Sequence, residues 1–145
     1  KTAIVDNPQL NARLWKGKNP IRIVIDKNLD VPTSHHLLDG SVKTILINQK
    51  KETIENNIDY VKLNFQENPA TQILKVLYQF KIQTVIIEGG AQTLQYFIQS
   101  NLWDEARVFS AAKSLIRGIK APEISISHSK ITTIEDDTLK LFYNV

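Results

Sequence analysis

Glu88-Gly89-Gly90 places a carboxylate and two residues without side chains directly after the apolar run 84–87 (TVII). Glycine lets a backbone approach phosphate closely, and a helix opening at that point offers free N–H groups to an anion. A carboxylate beside a pyrophosphate is repelled, so Glu88 is assigned a different group. The donor-rich edge of a pyrimidine, with its ring N–H and amino groups, is a natural partner for a buried acceptor. Plain structural alternatives stand beside both readings: a tight strand-to-helix turn for the glycines, and a helix N-terminal residue favouring the dipole for Glu88. The chain has no G-x-G-x-x-G and no G-x-x-x-x-G-K-[ST], which excludes the ordinary dinucleotide fingerprint and the P-loop.

Asp6-Asn7-Pro8 is a chain-reversal signal, because Asx side chains bond nearby backbone and proline fixes φ. Arg13 follows within reach of the same loop. Its planar guanidinium suits a phosphate group, with a lone surface arginine as the alternative. Charge is uneven: residues 1–22 hold Lys1, Arg13, Lys16, Lys18 and Arg22 against Asp6 alone, more than the net +3 of the whole chain. Such a local cluster suits a small anionic ligand better than a nucleic-acid groove, with a solvated lysine-rich loop as the alternative. His35 and His36 are adjacent and cannot share a helical face, and His128 is remote with no carboxylate spaced for a metal, so no metal site is expected. Trp15 and Trp103 are read as packing residues. The absence of cysteine excludes a disulfide framework and the zinc-caged nucleobase deaminases, and it fits a reducing, cytoplasmic setting.

Holding these groups requires a folded domain, and 145 residues at 42% hydrophobic composition suit a single one, 1–145. No repeat, low-complexity tract or linker interrupts it, and no apolar run approaches a membrane span. Neither a membrane nor a nucleic acid is expected as partner. Short β-branched runs predict strands at 21–26 (IRIVID), 44–47 (TILI) and 58–63 (IDYVKL). Asn68 as N-cap, Pro69 in the first turn and Ile73, Leu74, Leu77 and Phe80 at helical spacing predict a helix over 69–80. Residues 84–87 read as a parallel strand covered on both faces. Leu94, Phe97, Ile98 and Leu102 mark the helix after the glycines. Residues 105–110 would then be the next strand of the same sheet, reached by a right-handed crossover. Residues 130–134 and 139–143, around Asp136-Asp137, predict a closing antiparallel hairpin. The fold class is therefore α/β: a mixed, mostly parallel sheet flanked by helices, with a C-terminal hairpin. Residues 1–6 run straight into a loop without a first strand or helix, so the chain is expected to begin inside a domain.

Five segments occur in order across nearly the whole chain: T-x-x-x-D-N-P-x-L-x-x-R at 2–13, I-R-I-V-x-D…P at 21–32, E-G-G at 88–90, L-W-D-E at 102–105 and G-I-x-A-P at 118–122. This series resembles the C-terminal reductase domain of the bifunctional riboflavin-biosynthesis pyrimidine deaminase/reductase. The resemblance implies a dihydrofolate-reductase-like fold, a homodimer and NADPH as cofactor. It also implies reduction of 5-amino-6-(5-phosphoribosylamino)uracil to the ribitylamino product, by one hydride transfer to ribose C1′ in its ring-opened imine form. Carried over by position, Thr2, Asp6, Lys27 and the run Gly90, Ala91, Gln92, Thr93, Leu94, Gln95 and Tyr96 would contact the cofactor. Leu10, Arg13 and Glu88 would line the phosphorylated pyrimidine. Lys27 stands where the family often has a small hydroxyl residue, and no side chain is assigned as proton donor. Family members commonly carry a zinc deaminase domain upstream. Two other readings stay open: a dihydrofolate-reductase-like reductase of another pyrimidine or pteridine, and a non-catalytic ligand-binding or dimerisation module.

Overall fold

The computed structural model describes residues 2–14, 16–113, 117–127 and 129–144. The chain divides into two compact units, residues 1–85 and 86–145, each with its own sheet.

The first unit holds β1 (Arg22–Ile25), β2 (Thr44–Asn48), β3 (Thr53–Glu55) and β4 (Ile58–Lys62) in the order β1-β2-β4-β3. β1 pairs with β2 and β2 with β4 in parallel, while β3 pairs with β4 antiparallel. Every residue of β2 is buried, as a central parallel strand requires. Leu46 joins Val24, Val31, Leu37, Leu38 and Ile58 in one apolar cluster. Ile45 and Ile47 point to the opposite face by the pleat and are fully buried there.

Helix α2 (Pro69–Gln79) starts as expected: the Asn68 side chain accepts from the Ala70 amide at 2.9 Å, and Pro69 occupies the first turn. It buries Ala70, Ile73, Val76 and Leu77, an i, i+3, i+4 stripe. A helix Thr2–Asp6 (α1) replaces the expected loop at the start of the chain. Its Ala3 packs on the apolar cluster, and that contact is what holds so short a segment in helical form. The β3–β4 hairpin was not expected. Its two-residue turn, Asn56-Asn57, has φ of 50° and 61°, the left-handed pair a type I′ turn needs and asparagine tolerates.

The second unit holds α3 (Ala91–Gln99) and the strands β5 (Glu105–Ser110), β6 (Lys130–Ile134) and β7 (Asp137–Tyr143), in the order β5-β7-β6. The β6–β7 hairpin forms as expected, turning through Glu135 (φ 52°). β5, however, pairs antiparallel with β7 in this separate sheet rather than extending the parallel one. The expected strand at 84–87 is also absent, and Ile86 is 81% exposed. A strand exists only where neighbours take up its N–H and C=O groups, and among the described residues none pairs with this segment. Nor is the run covered on both faces, since Thr84 and Ile86 are exposed; an apolar composition alone supplies no ladder.

Both α2 and α3 end on a non-glycine residue in the left-handed region, Lys81 (φ 57°) and Asn101 (φ 55°). Behind each, the next amide reaches back to the last turn: Ile82 to the Leu77 carbonyl and Leu102 to that of Phe97, both at 3.0 Å.

Candidate active site

Three pieces of backbone present the residues singled out in the sequence. In the first unit, α1 delivers Thr2 and Asp6, both exposed, to the loop 7–13. Asn7 (φ 41°) and Leu10 (φ 44°) turn that loop through the left-handed region, which costs an L-residue about 1–2 kcal/mol each and so needs anchors. The anchors are visible. The Asn7 carboxamide oxygen accepts from the His36 amide at 2.9 Å, and the His35 ring bonds the Ile4 carbonyl at 3.0 Å. The half-buried Leu10 packs on the apolar cluster. Arg13 stays exposed, its guanidinium donating to the Asn11 carboxamide oxygen at 3.2 Å.

Of the basic residues expected to cluster over 1–22, Arg22 is withdrawn from solvent. At 2% exposure, Arg22 donates through NH1 to Asp39 (3.0 Å) and the His36 carbonyl (2.7 Å), and through Nε to the Gln9 carbonyl (2.8 Å). An arginine at the start of a strand buried beneath a turn is taken up internally. The Ser41 hydroxyl and amide, and behind them Arg22, hold the Asp39 carboxyl at about 2.

The second piece is the C-terminal edge of the parallel strands, where open α/β sheets gather ligands. Asp26, directly after β1 and 7% exposed, accepts the Asp30 and Val31 amides on its two oxygens, both at 2.9 Å. This clamp shapes the turn that exposes Lys27, whose ammonium lies 5.7 Å from the Phe65 ring centroid. Beside it a cavity of about 380 Å³ is lined by Gln49, Lys62, Leu63, Asn64, Phe65 and Gln66. Apart from Lys27, none of these was singled out in the sequence. The usable signal was their placement at or just after predicted strand ends.

The third piece lies in the second unit. Helix α3 opens at Gly90 (φ −56°, ψ 167°) with no side-chain cap; the Thr93 amide already turns back to the Gly90 carbonyl at 2.9 Å, which leaves the amides of Ala91 and Gln92 to an external acceptor. Neither glycine needs a left-handed backbone. Gly89 instead serves close approach, since a Cβ there would sit 3.3 Å from the Thr93 Cβ. Of the run expected at the cofactor, Gly90 and Gln92 are exposed and Ala91, Thr93, Leu94, Gln95 and Tyr96 half-buried, with the Gln92 side chain bonded to the Tyr96 hydroxyl at 2.8 Å. Glu88 is exposed. Trp103 is half-buried, whereas Trp15 and His128 lie outside the described residues. No group of three or more metal-ligating side chains occurs among the described residues, and no helix among them is long and apolar enough to cross a membrane.

The family model for the RibD C-terminal domain matches residues 1–138. The chain belongs to the RibD C-terminal domain family. It is 32% identical over 131 residues to the riboflavin biosynthesis protein RibD of Aquifex aeolicus, covering 86% of this chain but 36% of that protein. It is 27% identical over 147 residues to the 5-amino-6-(5-phosphoribosylamino)uracil reductase of Buchnera aphidicola, covering 90% of this chain and 70% of that one. The crystal structure of a diaminohydroxyphosphoribosylaminopyrimidine deaminase/5-amino-6-(5-phosphoribosylamino)uracil reductase from Thermotoga maritima superposes with a TM-score of 0.83. That match is at 20% identity and covers 98% of this chain and 42% of that one. The RibD-type fold thus accommodates the mixed parallel sheet and the separate antiparallel one. The chain spans only about a third of the length of the RibD proteins it matches.

Proposed function

We propose that residues 1–145 act as one NADPH-dependent reductase domain that converts 5-amino-6-(5-phosphoribosylamino)uracil to its ribitylamino product, as a cytoplasmic homodimer. The observation that carries this reading is membership of the RibD C-terminal domain family across nearly the whole chain. The uncapped start of α3 at Gly90 supports it, because bare amides and a missing Cβ fit the pyrophosphate of a dinucleotide. So does the exposed ammonium of Lys27 beside the cavity at Phe65, which fits a further phosphate and a flat ring.

When bound, the nicotinamide cofactor supplies the hydride that turns ribose into ribitol. The chain's own residues bind and orient. The amides of Ala91 and Gln92 take the pyrophosphate, with Thr93, Leu94, Gln95 and Tyr96 forming the helix behind them. Thr2 and Asp6 orient the cofactor by hydrogen bonds, and Arg13 takes the substrate phosphate as a bidentate ion pair. Glu88 accepts from the pyrimidine N–H groups, and Leu10 fixes the loop between. No side chain is assigned as proton donor, and water serves in that role.

Dimerisation is supported by the three-stranded sheet, whose β5 and β6 are both edges and which exposes Phe109, Ile131, Ile134 and Tyr143. A purely monomeric mass by light scattering at micromolar concentration would overturn that part. The activity is tested with the full-length protein by following NADPH absorbance in the presence of the phosphorylated pyrimidine. Turnover with a pteridine but not the pyrimidine would favour a different dihydrofolate-reductase-like substrate, and binding without NADPH oxidation would leave a ligand-binding module.

A further inference from the structure

Arg22 does more than close an ion pair. It opens β1, is 2% exposed and reaches two separate segments: the loop at Gln9 (2.8 Å), and the turn at His36 (2.7 Å), Asp39 (3.0 Å) and the Ser41 hydroxyl (3.4 Å). The turn at 36–41 is a fixed platform. Gly40 (φ 73°) leaves no room for a Cβ against Asn56, the Asn57 carboxamide donates to the Gly40 carbonyl at 3.1 Å, and the Thr44 hydroxyl donates to the Leu37 carbonyl at 3.3 Å. The loop 7–13 carries bonds of its own only after Leu10, where the Ala12 amide donates to the Asn19 carboxamide oxygen at 3.0 Å and the Arg13 amide to the Asn11 carbonyl at 3.2 Å among the described residues. It rests on the platform through Asn7, on the core through Leu10, and on Arg22 through Gln9, the residue just before the left-handed Leu10. A stabilising arginine could have been satisfied within the sheet and turn alone. The Nε–H that meets the Gln9 carbonyl lies part-way along the side chain, where a lysine has only a methylene, so a lysine with all its donors on one terminal nitrogen cannot reach Gln9 and the turn together.

We propose that Arg22 is a positioning residue that sets the loop carrying Leu10 and Arg13 for the phosphorylated substrate. The proposal rests on the reading of Arg13 as the phosphate ligand. Arg22 touches no substrate. It holds the Gln9 carbonyl, and through Leu10 fixes the direction in which the chain leaves for Arg13. The Lys43–Asp59 pair, at 2.7 Å with Asp59 only 6% exposed, is a matched control, partly buried between β4 and the residue just before β2 and, among the described residues, not bonded to the loop.

The test uses full-length protein carrying Arg22→Lys, Arg13→Ala, both together, or the control Lys43→Met. Arg22→Lys is expected to raise KM for the phosphorylated pyrimidine by about tenfold with kcat within about twofold, the pattern of lost ground-state and transition-state binding alike. In the double variant, Arg13→Ala should add little, because a misdirected Arg13 has already lost its contact. Lys43→Met should lower thermal stability with KM unchanged. Independently of any ligand, amide hydrogen exchange at residues 9–13 should accelerate in Arg22→Lys while Leu46 and Ile47 keep wild-type protection. Unchanged loop exchange, or multiplicative losses in the double variant, would overturn the positioning role. An Arg13→Ala variant with normal KM would instead remove the phosphate reading, leaving the exchange experiment to decide the positioning alone. Should Arg22→Lys fail to fold, Asp39→Asn loosens the same guanidinium and is read by the same loop exchange and KM.

Discussion

Replacing Asp26 with alanine removes a carboxylate that holds two backbone amides in a nearly closed site. The two bonds, to Asp30 and Val31 at 2.9 Å each, are not equivalent. Val31 is 7% exposed, so its amide would be stranded away from water, and loss of a hydrogen bond to a charged acceptor there costs about 1.5–3 kcal/mol. Asp30 is exposed and water can replace the lost acceptor, leaving about 0.5–1.5 kcal/mol. A small return comes from Leu29, held at φ 60°, which is freed to leave the left-handed region and recovers about 1 kcal/mol. The expected net loss is about 1–3.5 kcal/mol, centred a little above 2. With a urea slope of about 1–1.5 kcal/mol/M for a protein of this size, the unfolding midpoint should fall by roughly 2 M at constant slope. Asp26→Asn keeps one oxygen but turns an NH₂ toward the second amide, and should lose nearly as much. Because the same clamp shapes the turn carrying Lys27, both variants should also weaken NADPH binding several-fold in calorimetric titration of the folded protein. A midpoint drop below about 0.5 M for Asp26→Ala, with the slope unchanged, would refute the clamp as a source of stability.

Three further outcomes are expected. Arg13→Ala should weaken the phosphorylated pyrimidine by about 1–3 kcal/mol in KM-derived affinity while barely affecting the dephosphorylated analogue; equal losses for both would assign Arg13 to loop packing. Glu88→Gln keeps size but loses charge, so kcat/KM for the pyrimidine should fall while NADPH affinity stays near wild type; a change confined to NADPH would move Glu88 to the cofactor. The Asp39 carboxyl, lowered from 3.8 to about 2, contributes stability that is complete above its unfolded value and disappears as pH falls from about 4 toward 2. Acid unfolding followed by circular dichroism should therefore lose this pH sensitivity between 4 and 2 in Asp39→Asn.

The parts of the fold legible in the sequence were those whose causes are local. Asn68-Pro69 and the Ile73/Leu77 spacing marked α2 because capping and amphipathicity act within a few residues, and the β6–β7 hairpin was readable from two strand-like runs around a polar turn, whereas β5 was placed in the chain but assigned to the wrong sheet. The segment 84–87 failed for the opposite reason: its apolar run says that it could be buried, whereas strand formation depends on a neighbour that periodicity cannot supply. The β3–β4 hairpin was missed although Asn56-Asn57 is a recognisable type I′ signal, because all of β3 is exposed and shows no alternation. At the candidate site, motif spacing singled out Arg13 and Gly90. The division of labour between Arg13, left in solvent, and Arg22, buried beneath the loop, depends on contacts with residues far along the chain, at Asp39 and Ser41.

The pairing order of the first sheet also sets an order of assembly. Its only short-range pairing joins Glu55 with Ile58, whereas β2 meets β4 at Thr44 with Ile58 and β1 meets β2 at Arg22 with Thr44. Closing a longer loop costs more entropy before any contact rewards it, so the hairpin is expected to form first, β2 to add to it and β1 last. Synthesis delivers these strands in the reverse sequence. An emerging chain therefore holds β1 and β2 unsealed until the hairpin has left the ribosome, and the loop that Arg22 anchors is the last to find its place. Substitutions in the hairpin should slow refolding, while those in β1 should chiefly speed unfolding, a contrast that stopped-flow kinetics can read.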